Sequence, residues 1–125
     1  WAVTVILFIA IAWLSSAPGF DGDVEQAEAV PLTRYEIRFA EAEGFEQAHE
    51  IVQGRCAMCH ARAPVWDGLR WAPKGVLLET RADVARNARA IYLQAGVSHA
   101  MPPDNITDIP QEDRALLTAW YRAGQ

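Results

Sequence analysis

From Trp1 to Leu14 the chain reads WAVTVILFIAIAWL, a charge-free run that would be apolar on every face of a helix. At about 1.5 Å of rise per residue, such a helix covers only ~21 Å of a hydrocarbon core that is roughly 30 Å thick. Residues 1–17 are therefore predicted to be the end of a transmembrane helix that starts upstream of Trp1. The alternative is a truncated secretory signal, for which Ser15, Ser16 and Ala17 supply the small residues of a cleavage site. Either way, the remainder is expected to lie across a membrane.

The pattern then changes abruptly. Asp21, Asp23, Glu25 and Glu28 precede the first basic residue, Arg34, while Pro18, Gly19, Gly22 and Pro31 discourage regular structure. Residues 18–40 are predicted to be an acidic linker, with the domain boundary falling between Pro31 and Glu41. Cytoplasmic flanks tend to be rich in Lys and Arg, so the acidic flank favours the outer side of the membrane.

Helical periodicity begins beyond the linker. Between Glu41 and Cys59, the positions Phe45, Ala48, Val52 and Cys56 fall on one helical face. From Ala61 to Glu79, Pro64, Gly68, Pro73 and Gly75 predict an irregular loop that carries Val65, Trp66, Leu69 and Trp71. Thr80 and Asp83 resemble a capping box, opening a helix that buries Val84, Ala88, Ile91, Tyr92 and Ala95 and ends at a left-handed Gly96. Pro102 and Pro103 interrupt, and Pro110 starts a last helix aligning Leu116, Leu117, Trp120 and Tyr121. No window alternates with period two, so residues 41–125 are expected to form one all-α domain.

Composition narrows the function. The 125 residues suit one compact domain with an appendage. Sixteen acids against eleven bases give a net charge of -5, with no basic stripe, which argues against nucleic acid as a partner. The only two cysteines stand three positions apart, so a shared chemical task explains them better than a disulfide framework.

That task is legible in Cys56-Ala57-Met58-Cys59-His60, which has the Cys-x-x-Cys-His spacing of c-type haem attachment. Two intervening residues let both sulfurs reach the two vinyl groups of one porphyrin, and the adjacent imidazole is presented to the iron. A thioredoxin-like dithiol would need strands that this pattern lacks. A structural zinc site would need a fourth ligand, for which only His49 or His99 is available. Two buried structural thiols are the plainest alternative.

Met101 is the candidate second axial ligand. It lies off any helical face, in a loop stiffened by Pro102 and Pro103, and a His/Met pair on haem iron describes an electron carrier. His99 and His49 are rival ligands. Pro73 is the candidate to turn its backbone carbonyl to the far nitrogen of His60, with Pro64 as competitor. Trp66, Trp71, Arg62, Arg70 and Lys74 are available to haem propionates, yet each reads equally well as a surface residue.

Residues 45–122 resemble a class I cytochrome c domain, with the attachment motif, the Met-Pro-Pro loop and the LLTAWY terminal helix in matching order. The resemblance implies three to five helices around one covalent haem c, ligated by His60 and Met101 and attached through Cys56 and Cys59. CAMCHARAPVWDG, APKGVLLET, IYLQAGVSHAMPPDNIT and DRALLTAWY also resemble the carboxy-terminal cytochrome domain of membrane-bound bacterial urate oxidases. That likeness implies an upstream catalytic membrane domain in the same protein, a respiratory-chain electron acceptor and a periplasm-facing location at the bacterial inner membrane. No substrate-binding residue carries over. The alternatives are a freestanding membrane-anchored electron carrier, a haem peroxidase or sensor with an open iron position, and a zinc-binding module.

Overall fold

The computed structural model describes residues 1–16 and 30–125, in two compact units, residues 1–30 and 31–125. The predicted acidic run from Asp21 to Glu28 and the small residue Ala17 lie outside the described residues.

In the first unit α1 spans Ala2–Ser16, with its apolar side chains from Ala2 to Trp13 exposed. Its 15 residues amount to ~22 Å of helix, and no described helix is long and apolar enough to cross a membrane.

The second unit is all-α, with no strand among the described residues. Its first helix, α2 (Arg34–Ala40), lies within the residues that the sequence assigns to the linker, and the compact unit begins at Pro31, one end of the expected boundary range. Thr33 caps α2 with a complete capping box: its hydroxyl accepts from the Glu36 amide, and the Glu36 carboxylate accepts from the Thr33 amide. The single buried side chain, Phe39, lies against Tyr121 with ring centroids 5.2 Å apart. One aromatic anchor therefore brings a mostly polar heptapeptide onto the core.

Helix α3 (Phe45–Arg55) is shorter than its periodic segment. It starts after a left-handed Gly44, ends at Cys56, and buries Phe45, Ala48 and Val52 as the spacing predicts. Helix α4 (Arg81–Arg86) has the Thr80–Asp83 box with both hydrogen bonds made. The expected continuous helix breaks at Asn87 into a short α5 (Ala88–Ile91) and a π turn (Tyr92–Val97), though Val84, Ala88, Ile91 and Ala95 are all buried. Helix α6 (Gln111–Ala123) closes the unit against α2, α3 and the π turn. Leu117, Trp120 and Tyr121 face inward, whereas Leu116, placed on that face by the sequence reading, is exposed. Trp120 is 1% exposed and donates its indole N–H to the Phe39 carbonyl at 2.9 Å, satisfying both groups in the core.

Gly96 also departs from expectation. It has no positive φ; it sits inside the π turn, where a Cβ would stand 2.7 Å from Thr118 Oγ1 on α6. Its close approach to the Thr118 hydroxyl, rather than a left-handed ending, is what sets this glycine apart. Gly96→Ala is expected to destabilise the domain by about 1 kcal/mol, overpacking outweighing the better helix propensity of alanine. Urea unfolding checks this, and adding Thr118→Ala should recover the loss; an unchanged midpoint in the single variant contradicts it.

Candidate functional site

The sequence-predicted residues meet at one cavity of the second unit. A cavity of about 300 Å³ is lined by Cys56, Cys59 and His60 from the turn after α3, and by Met101 and Pro102 from the loop before α6. Leu78, Ile91 and Ala95 give it an apolar floor. The volume falls at the lower end of the range for small-molecule and cofactor sites.

The Cys-x-x-Cys-His turn is built by the end of α3. Cys56 donates its amide to the Val52 carbonyl, and the Cys56 carbonyl then accepts from the amides of Cys59 (3.1 Å) and His60 (3.0 Å). Winding the chain back on itself in this way brings all three side chains to one cavity. The thiols are free. Burial pushes Cys56 up to about 11 from its ordinary value of 9.0, with the neighbouring Cys59 adding to the rise; burial also raises Cys59. Both are held as protonated thiols near neutral pH, the opposite of an activated redox dithiol.

His60 has a fixed tautomer. Its Nδ1 lies 2.9 Å from the Val76 carbonyl, which can only accept, so Nδ1 carries the proton and the Nε2 lone pair is left for a metal. This corrects the Pro73 expectation, and Pro64 is not the partner either. Pro73 lines the cavity, but it opens a 3₁₀ turn (Pro73–Gly75) in which its carbonyl accepts from the Val76 amide at 3.2 Å. The turn thus uses up the Pro73 carbonyl and aims the carbonyl three residues later at the imidazole. The strap carrying Val76 is pinned in turn: Leu78 donates to the His60 carbonyl at 2.8 Å, Gln53 donates to the Leu78 carbonyl, and Asn87 donates to the Leu77 carbonyl.

Met101, also on the cavity wall, is 37% exposed, and its backbone amide and carbonyl are both hydrogen-bonded. Its amide donates to the Gln94 carbonyl at 3.0 Å, and its carbonyl accepts from Arg114 at 3.1 Å. Neither rival histidine lines this cavity. His99 sits exposed at a φ of 57°, and His49 tilts against Phe45 on α3. Of the suggested polar and aromatic partners, only Lys74 is on the cavity wall; Arg62 pairs with Glu79 at 3.2 Å and Trp71 is exposed.

Two wall residues were missed. Arg55 lines the cavity and donates to the carbonyl of Thr107, another wall residue, at 2.8 Å; the Thr107 hydroxyl is buried without a hydrogen-bond partner. Among the described residues no three His, Cys, Asp or Glu side chains are grouped to hold a metal ion between them. No family model, curated protein or solved structure matches this chain.

Proposed function

We propose that residues 31–125 are a c-type cytochrome domain that carries one electron at a time on a single covalently attached haem. The observation that carries this reading is the convergence of Cys56, Cys59, His60 and Met101 on one apolar cavity, with His60 held in the tautomer that a metal ligand needs. Bound there, the haem iron would alternate between its ferrous and ferric states.

The residues fit such a group. Cys56 and Cys59 would hold the group through thioethers, each thiol giving its sulfur to one carbon and its hydrogen to the other carbon of a vinyl group so that no oxidant is consumed, and both thiols are free for it. His60 would offer Nε2 to the metal, its ring oriented by the Val76 carbonyl. Met101 would offer its thioether, a soft donor that raises the potential and would shield the metal from small ligands. Arg55 and Lys74 are the basic wall residues that would be on hand for a carboxylate of the macrocycle. The peroxidase or sensor alternative needs an open position where Met101 stands.

From the resemblance of its motifs, the domain is further proposed to be the electron-accepting module of a bacterial urate-oxidising membrane enzyme, facing the periplasm and passing electrons to the respiratory chain. The apolar α1 supports the membrane part of this reading. Inner membranes carrying the full-length protein test it. Added urate should reduce the haem without forming hydrogen peroxide; a haem that dithionite reduces and urate does not would leave the freestanding carrier in its place.

A further inference from the structure

One buried charge is not explained by packing. Arg114 is 4% exposed on α6, in register with Leu117 and Tyr121, and no carboxylate among the described residues pairs with it. Enclosing a guanidinium without a counter-ion is costly, and an apolar side chain would fill the same helix face more cheaply. Its hydrogen bonds show what the cost secures. Nη1 donates to the Ala95 carbonyl at 2.6 Å and to the Met101 carbonyl at 3.1 Å, and Nη2 donates to Asn105 Oδ1 at 2.7 Å. Asn105 in turn accepts from the Ile109 amide at 3.0 Å and donates to the Ile109 carbonyl at 3.3 Å. A single planar fork therefore fastens the π turn, Met101 and the chain following it to one rigid helix. Arg is suited to this by geometry, because its donors are fixed in one plane, whereas a lysine ammonium is a point. Its charge also reaches the cavity: at Cys56 it acts to lower the thiol pKa, against the larger effects of burial and of Cys59.

We infer, resting on the haem reading above, that Arg114 is the positioning residue of the Met101 ligand, clamping the Met101 carbonyl so that the thioether stays over the cavity. Its buried positive charge also disfavours a second positive charge on the metal, and so favours the reduced form. The full-length holoprotein tests both parts through the imidazole affinity of its ferric form and its reduction potential. In Arg114→Met the Met101 loop opens more readily, imidazole binds on the order of tenfold more tightly, and the potential falls. Arg114→Lys keeps the charge but cannot span three oxygens, so affinity rises by roughly threefold while most of the potential is retained. Arg122→Met, removing an exposed charge from the same helix, leaves both at wild-type values. Wild-type affinity and potential in Arg114→Met overturn the inference. Should that variant not fold, Arg114→Lys decides: wild-type imidazole affinity overturns it. A wild-type protein without covalent haem overturns the haem reading and this inference together. Holoprotein that responds to Met101→Ala but not to changes at Arg114 overturns this inference alone.

Discussion

Replacing Cys56 and Cys59 together by alanine is expected to abolish covalent haem, so that a denaturing gel of protein made with the cytochrome c maturation system shows no haem-staining band. Alanine is the informative substitution because serine would bury a hydroxyl in a largely apolar wall, at a cost of about 1–3 kcal/mol unrelated to attachment. Each single variant keeps one sulfur on the cavity and should retain one thioether link, with the reduced α-band shifted by the unreacted vinyl group. The backbone of the turn should survive, since the bonds from Cys59 and His60 to the Cys56 carbonyl and from Cys56 to the Val52 carbonyl involve no side chain. A double variant that still carries haem through denaturation would mean that attachment lies elsewhere.

Met101→Ala is expected to do something different: covalent haem stays, the potential falls by a few tenths of a volt within the ~0.8 V that axial ligands span, and the ferric protein binds imidazole or cyanide readily. The fold should tolerate the change. Met101 is 37% exposed, and its hydrogen bonds to Gln94 and Arg114 are made by the backbone. Circular dichroism and unfolding should therefore stay near wild type, while the weak long-wavelength band of methionine-ligated ferric haem disappears. Potentiometric titration checks the first effect and ligand titration the second. A variant with the wild-type spectrum and potential would remove Met101 from the ligand pair.

Features specified by neighbours in sequence were the ones legible in advance. The Thr80–Asp83 box and the buried stripe Phe45, Ala48 and Val52 depend on contacts one helical turn apart, and both formed as read. Convergence of Cys56, Cys59, His60 and Met101 on one cavity was legible because their chemistry already implied a common centre. Helix α2 carried a signal that was overlooked: Thr33-x-x-Glu36 is a capping box, hidden because only Phe39 of the seven residues is buried. Arg114 was likewise visible in part. It stands three and seven positions before Leu117 and Tyr121, on the face that the spacing buries, but its charge suggested solvent. Gly96 and Pro73 were not legible at all. The close pass of Gly96 against Thr118 is a tertiary fact, and whether Pro73 or Val76 presents its carbonyl to His60 depends on the 3₁₀ turn between them.

The most direct test is made on the wild-type protein expressed with cytochrome c maturation proteins: a haem-stained denaturing gel beside oxidised and reduced visible spectra. One haem per chain, surviving denaturation and giving a sharp reduced α-band, is the predicted result. A colourless protein whose two thiols are both still free to alkylation would contradict the claim that Cys56, Cys59 and His60 hold a haem.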